Sequence, residues 1–309
     1  MFSNDKKIIA VVGPTCTGKS ELSIDLAEVL HGEIINADSM QVYKHFDIGT
    51  AKPDIALRNK ISHHLIDVVE PFEEFNAAIF KERADESIQE IWSRKKTPIL
   101  VGGTGLYIKA LVYDLFKIQK DIHLRENLKQ SYADNPLGLY EKLKEIDPAY
   151  TLKISHRDKI RVVRALEVFY LTGKRMSEWE NVHGFKKAKY NVLKIGLKRA
   201  RNELYQSINR RVEEMLTRGW VEEVRTLLSM GYKEDAKPFS SIGYREILLY
   251  IKGFIRYEGM VKDIKKYTRH YAKRQCTWFS KEKDVWWFQY PEDKETIIRK
   301  AEDFLKQWN

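Results

Sequence analysis

Short apolar runs alternate with longer amphipathic stretches along much of the chain. Residues Ile8 to Val12 are all apolar, a pattern typical of a strand buried on both faces of a parallel sheet. Such runs predict strands at 7–12, 33–37, 64–69, 98–102, 191–197 and 285–289. Residues 75–95 instead carry apolar side chains at helical spacing, which predicts a helix. The alternation predicts an α/β fold with a parallel sheet flanked by helices.

The pattern changes after about residue 118. Charge becomes dense there, and a later stripe of apolar positions fits one helix face: Val162, Val163, Leu166, Phe169 and Tyr170. We interpret residues 119–190 as a helical insertion domain. The predicted organisation is therefore a core domain at 1–118, the insertion at 119–190, and a return strand with a helical, basic C-terminal region at 191–309.

The segment from Gly13 to Ser20 fits the phosphate-binding pattern G-x-x-x-x-G-K-[ST] at every fixed position. A predicted strand precedes it and a predicted helix follows it, which is the context that this loop requires. Its glycines let backbone N–H groups point at an anion, Lys19 can reach terminal phosphates, and the Ser20 hydroxyl can bind Mg²⁺. The pattern predicts phosphate binding, but a kinase, an NTPase and a diphosphate-using transferase could all carry it. In each case the core has a P-loop NTPase-like fold.

Two further polar residues follow predicted strands. Asp38 ends an apolar run, and Thr104 lies in the glycine turn after another. Because ligands bind at the carboxyl ends of parallel strands, we expect both side chains beside the phosphate loop. A carboxylate there can accept a proton from a nucleophile, and a threonine can hydrogen-bond the same group. The alternatives are a helix N-cap for Asp38 and capping of the turn for Thr104.

The composition of the chain narrows its possible partners and its cellular compartment. The chain has 309 residues, 43% of them hydrophobic, and a net charge of +10, which favours a polyanionic partner such as nucleic acid. Its two cysteines cannot form a disulfide framework, and they favour a reducing, cytoplasmic setting. No apolar run approaches the roughly 20 residues of a membrane span, so we expect no membrane partner.

Several segments, in order, resemble the tRNA dimethylallyltransferase family. The first half of the match is Gly13–Ser20, Asp38–Tyr43, Asp47–Pro53, His63–Asp67 and Gly102–Tyr107. It continues with Arg161–Val168, Thr172–Lys174, Ser241–Glu246 and Tyr271–Phe279. Each motif alone is weak to moderate evidence, but together they extend over nearly the whole chain.

The resemblance implies transfer of a dimethylallyl group from dimethylallyl diphosphate to N6 of the adenosine beside the anticodon in tRNA. It implies Asp38 and Thr104 as catalytic residues and Mg²⁺, held by Ser20, as the cofactor. The residues implied to bind diphosphate are Gly13, Thr15, Thr17, Gly18, Lys19, Ser20 and Arg211. Those implied to bind tRNA are Ser39, Gln41, Lys52, Arg161, Arg164, Lys273, Arg274 and Gln275. We expect a monomer.

The stretch from 262 to 283 is rich in lysine and arginine, with aromatic residues between them. Basic side chains can follow an RNA backbone, and Tyr271 and Trp278 could either stack on bases or belong to the core. An adenylate isopentenyltransferase acting on a free nucleotide is an alternative function, although it would need neither this stretch nor the insertion. A P-loop nucleotide kinase and a non-enzymatic RNA-binding NTPase are the others.

Overall fold

The computed structural model describes residues 7–114, 118, 121–183 and 188–306. Its sheet has six parallel strands in the order β3-β2-β4-β1-β5-β6. The strands are β1 (Lys7–Val12), β2 (Gly32–Asn36), β3 (His63–His64), β4 (Thr97–Gly102), β5 (Asn191–Leu197) and β6 (Val285–Phe288). Because the central strand β1 is covered on both faces, Ile8 to Val11 are fully buried, as the continuous apolar run predicts.

Contacts divide the chain into two compact units, one of residues 1–112 and 189–309 and one of residues 113–188. The helices outside the second unit are α1 (Lys19–Val29), α2 (Ile55–Lys60), α3 (Ala77–Ser93), α4 (Gly105–Tyr113), α10 (Arg201–Thr217), α11 (Trp220–Ser229), α12 (Tyr244–Ile251), α13 (Tyr257–Phe279) and α14 (Lys294–Lys306). The fold is α/β and P-loop NTPase-like, with a helical C-terminal region. No helix in the described part of the chain is long and apolar enough to cross a membrane.

The second unit is helical. It contains α5 (Ile122–Asp134), α6 (Pro136–Ile146), α7 (Pro148–Thr151), α8 (Lys159–Thr172) and α9 (Met176–His183). Val162 and Leu166 of α8 lie in its own apolar core, together with Leu128 and Leu143. Of the predicted stripe, Val162, Val163 and Leu166 therefore pack within this unit, whereas Tyr170 is 40% exposed.

The second unit's boundaries differ from the predicted 119–190. At its C-terminal end, Lys189 and Tyr190 belong with the sheet, because both side chains bind Asp85 of α3 at 2.6 and 2.5 Å. At the N-terminal end the division falls after Val112, within α4. Much of the segment around the predicted start at residue 119 lies outside the described residues.

The predicted strand at 64–69 is wrong beyond His64. Leu65 and Asp67 have φ values of 62° and 55°, in the left-handed region that a strand cannot adopt. The apolar pattern missed this bend because Leu65 and Ile66 are buried although they are not in a strand. Strand pairing resumes only as an isolated bridge between Tyr43 and Val69.

Helix α3 is slightly shorter than the predicted 75–95. The Asn76 side chain accepts hydrogen bonds from the backbone N–H groups of Ala78 and Ile79, which fixes the start of the helix. Lys95 has a φ of 57°, which ends it. Phe75 is buried just outside the helix.

Candidate active site

The phosphate loop joins β1 to α1, and two glycines fix its path. Gly13 has a φ of 137°, and a Cβ atom there would lie 2.5 Å from the Leu197 carbonyl oxygen. Gly18 has a φ of 91°, and a Cβ atom there would lie 2.6 Å from the Tyr290 ring. Only glycine satisfies both the conformation and the close packing.

Two cations lie at this loop. The Lys19 ammonium donates to the Pro14 carbonyl at 2.5 Å, and Arg211 of α10 contacts the Thr15 hydroxyl at 3.4 Å. Burial, together with the positive charge of Arg211, lowers the pKa of Lys19 to about 8. The negative charge of a bound anion would offset both effects, so the loop favours an anionic ligand.

Thr17 has a different position from the other predicted phosphate contacts. Its side chain is buried, and its hydroxyl donates to the Pro14 carbonyl at 2.9 Å. This bond closes the loop on itself. The hydroxyl therefore supports the loop's shape, which leaves the backbone N–H groups for a ligand.

A cavity of about 400 Å³ opens beside the loop. It is lined by many of the residues that the sequence singles out: Thr15, Lys19, Ser20, Asp38, Ser39, Gln41, Arg211, Arg274 and Gln275. The sequence did not predict the apolar residues that also line the cavity. They include Ile208, Val212 and Met215 of α10, with Ile242. Ile208, Val212 and Met215 lie at helical spacing in the sequence, but this spacing alone does not show whether they face a cavity or the core.

Asp38 and Thr104 meet at the carboxyl ends of β2 and β4, as expected. One Asp38 oxygen, Oδ1, accepts a hydrogen bond from the Met40 backbone N–H at 2.8 Å. The Thr104 hydroxyl accepts one from the Ser39 N–H at 3.1 Å and lies close to the Tyr271 hydroxyl. The alternative of an Asp38 helix cap is not what the structure shows, because no helix starts there.

Tyr271 joins the site from α13. Burial raises the pKa of its phenol, and the side chain lines the cavity. Trp278 of the same helix is instead 39% exposed, with the Lys109 ammonium 6.0 Å from its ring centre. Of the two aromatic residues left open by the sequence, Tyr271 therefore belongs to the site wall and Trp278 to the surface.

Two predicted RNA contacts are already engaged within the protein. The Gln275 amide accepts from the Thr15 N–H at 2.9 Å and donates to the Gly103 carbonyl at 3.0 Å. The Lys52 ammonium donates to three oxygens, those of the Tyr43 carbonyl and of the Asp47 and Asp67 carboxylates. Both side chains are buried, which favours a positioning role over RNA binding.

The remaining basic candidates are more accessible. Lys273 and Arg274 are exposed on α13, and the Arg274 guanidinium lies 5.6 Å from the centre of the Tyr271 ring. In the second unit, Arg161 pairs with Asp158 and Arg164 pairs with Glu167. Arg164 neutralises a fully buried carboxylate, whereas Arg161 is half-exposed.

The fold and cavity define a class of protein: a phosphate-loop α/β protein whose anion site opens into a cavity with a carboxylate and an apolar wall. Comparison with known proteins narrows this class. The family model described as IPP transferase matches residues 41–282. The chain belongs to the IPP transferase family.

Relatives match along almost their whole length. The tRNA dimethylallyltransferase 1 of Citrifermentans bemidjiense is 45% identical, over 99% of this chain and 100% of that protein. The tRNA dimethylallyltransferase of Geobacter sulfurreducens is 43% identical, over 97% of each.

Solved structures agree. A crystal structure of the full-length tRNA isopentenylpyrophosphate transferase from Bacillus halodurans matches with a TM-score of 0.73 and 37% identity, covering 98% of this chain and 97% of that one. A eukaryotic dimethylallyltransferase acting on tRNA matches with a TM-score of 0.86 and 31% identity, covering 98% and 80%.

Proposed function

We propose that the protein transfers a dimethylallyl group from dimethylallyl diphosphate to N6 of the adenosine beside the anticodon in tRNA and releases diphosphate. The observation that carries this proposal is that one cavity is lined by two cations, Lys19 and Arg211, and by the Asp38 carboxylate. The cavity can therefore bind an anionic leaving group, and Asp38 can act there as the base for an amine nucleophile. The relatives named tRNA dimethylallyltransferase support the choice of substrates.

The phosphate loop acts on the leaving group. As the allylic C–O bond breaks, negative charge grows on the diphosphate and positive charge grows on the allylic carbon. Lys19, Arg211 and the backbone N–H groups at the start of α1 stabilise the departing anion. The two cations are in place before the substrate binds, so little reorganisation is required.

Asp38 acts on the acceptor. The N6 amine of adenine is a weak nucleophile because its lone pair is delocalised into the ring. As the new C–N bond forms, the Asp38 carboxylate accepts an N6 proton. The Thr104 hydroxyl supports the segment that carries Asp38 through its bond with the Ser39 N–H.

The apolar wall suits the isoprenyl group. Ile208, Val212, Met215 and Ile242 offer only hydrocarbon and thioether surface. They would exclude water from the allylic carbon, where water would compete with the amine.

Mg²⁺ is part of the proposal, and the residues present fit it. Ser20 lines the cavity beside Lys19, and a hydroxyl together with diphosphate oxygens is the all-oxygen set that Mg²⁺ prefers. When bound, the ion would neutralise negative charge on the diphosphate. Ser20 is the residue that would hold it.

We also propose that the protein is active as a monomer. Its tRNA substrate implies a cytoplasmic site of action. Exposed basic residues such as Lys273 and Arg274 support an RNA acceptor over the free nucleotide of an adenylate isopentenyltransferase.

The test is one incubation of the purified protein with labelled dimethylallyl diphosphate and either unmodified tRNA, AMP or ATP. Label should appear in tRNA alone. Label in the free nucleotides, with none in tRNA, would establish the adenylate isopentenyltransferase alternative. Phosphoryl transfer from ATP without use of the diphosphate would establish a kinase.

A further inference from the structure

A carboxylate from α11 holds the turn between Asp47 and Ala51. Glu223 Oε2 accepts hydrogen bonds from the backbone N–H groups of Asp47 and Ile48 at 2.9 and 2.6 Å. Its other oxygen, Oε1, accepts from the Gly49 N–H at 3.4 Å. Three successive N–H groups converging on an anion form a nest, and this one is filled by the protein's own side chain.

A second side chain also holds the Glu223 carboxylate. The Tyr244 hydroxyl, on a fully buried side chain, donates to Glu223 Oε1 at 2.6 Å. The turn that Glu223 holds ends in Ala51, whose φ of 53° is in the left-handed region. Such a conformation is rare for alanine and persists only where surrounding contacts impose it.

This turn also fixes the side chain of Gln41. The Gln41 amide nitrogen, Nε2, donates to the Thr50 and Ala51 carbonyls at 2.9 and 3.2 Å. Only the NH₂ end of an amide can pair with two carbonyl oxygens, so the orientation of the side chain is set. Oε1 has no partner among the described residues, and Gln41 lines the cavity.

We propose that Glu223 is a positioning residue that, through this turn, holds Gln41 as a hydrogen-bond acceptor for the exocyclic amine of the acceptor base. The proposal rests on the proposed function. Adenine N6 carries two hydrogens, of which Asp38 takes one and Gln41 Oε1 accepts the other. A base with a carbonyl at this position, such as hypoxanthine, would place oxygen against oxygen and be rejected.

The test compares two anticodon stem-loop RNAs, one with adenosine and one with inosine at the target position. Their dissociation constants are measured without dimethylallyl diphosphate, so no turnover occurs. We expect the unchanged protein to bind the adenosine RNA about tenfold more tightly. Gln41→Met, which removes the acceptor, should reduce this ratio to about twofold. Because a ratio is measured within each variant, a partly unfolded sample does not alter it.

Glu223→Gln should reduce the ratio to the same extent, because an amide cannot accept hydrogen bonds at both of its ends. Glu222→Gln is the matched control. Glu222 lies next to Glu223 on α11, is largely exposed and pairs with Arg225, so its ratio should stay unchanged. If Glu223 acts through Gln41, the double variant should be no less selective than Gln41→Met alone.

A Glu223→Gln protein that keeps the full ratio, or a double variant in which the two losses add, would overturn the positioning role. An unchanged protein that binds both RNAs equally would overturn the acceptor role of Gln41. An unchanged protein that binds neither RNA would overturn the proposed function and this inference with it.

Discussion

In the proposed mechanism, Lys19 serves the diphosphate donor and Asp38 serves the acceptor amine. Lys19 is a buried cation whose pKa is lowered to about 8 by burial and by Arg211, so it favours an anionic donor. Asp38 has one oxygen bound to the Met40 N–H, which leaves the other for the acceptor amine. Substitutions of the two residues should therefore have different kinetic effects.

Asp38→Asn should lower turnover on tRNA by at least about 10²-fold while the affinity for dimethylallyl diphosphate stays nearly unchanged, because the amide cannot accept the N6 proton. Steady-state kinetics with tRNA, together with direct binding of the donor, measure both quantities. A variant whose only defect is weak donor binding would show that Asp38 serves the diphosphate.

Tyr290 supports the phosphate loop, and no sequence pattern predicts this role. Its ring packs against Gly18, and its hydroxyl donates to Asp25 of α1 at 2.7 Å. Tyr290→Ala should raise the KM for dimethylallyl diphosphate roughly tenfold because Gly18 loses its support. Tyr290→Phe, the matched control, keeps the ring and should stay within about threefold of the unchanged protein. Equal values for the two variants would show that the ring does not position the loop.

Sequence patterns predict which residues lie at the site better than they predict which groups those residues contact. The phosphate loop, Asp38 and Thr104 could be predicted because strand ends and glycine turns are local patterns. The contacts that Lys52 and Gln275 make within the protein could not be predicted in this way. Their roles depend on burial and on groups such as the Asp67 carboxylate and the Gly103 carbonyl, which only the fold brings near.

At the scale of elements, Glu33 of β2 joins several parts of the sheet. Its carboxylate is bound by His64 of β3, by Arg94 after α3 and by Lys96 before β4. Burial alone would raise the pKa of Glu33, but hydrogen bonds from these three residues outweigh it and lower the pKa to about 2. The charged form therefore stabilises the fold.

Glu33→Gln should lower the free energy of unfolding at pH 7 by about 2 kcal/mol, since it leaves charged partners without a counterion. The contribution is fully present above the unfolded-state pKa of about 4.5 and is lost as the pH falls towards 2. The difference between the two proteins should therefore shrink from pH 7 to pH 3 in urea denaturation. Glu86→Gln, at an exposed position of α3, is the control. A difference that does not depend on pH would contradict this assignment.

The elements also show where hydrophobic patterns fail. Strands β1, β2, β4 and β5 were found almost to the residue, because burial on both faces leaves a continuous apolar run. The run at 64–69 looks the same but contains left-handed residues that no apolar pattern reveals. An apolar run predicts that a segment is buried, but it does not always predict the backbone conformation of that segment.

At the scale of the whole molecule, positive charge favours binding of the tRNA substrate. The chain carries a net charge of +10, and Lys273 and Arg274 are exposed on α13. If they contact RNA phosphates, replacing both with alanine should reduce the slope of log affinity against log salt by about two units.

The matched control replaces two exposed basic residues of α14, Arg299 and Lys306, and should leave the slope as it is. Binding of tRNA is measured from low to high salt for all three proteins. Identical slopes would show that the RNA backbone is held elsewhere on the chain.

The central claim is that one cavity joins the diphosphate leaving group to an adenine acceptor. The most direct measurement is to incubate unmodified tRNA with the protein and dimethylallyl diphosphate, then to map the modified nucleoside by mass spectrometry and quantify released diphosphate. We predict a dimethylallyl group on N6 of the adenosine beside the anticodon and one diphosphate per modified adenosine, with both products lost together in Asp38→Asn. Diphosphate release without a modified adenosine, or a modification at another nucleoside, would contradict the account.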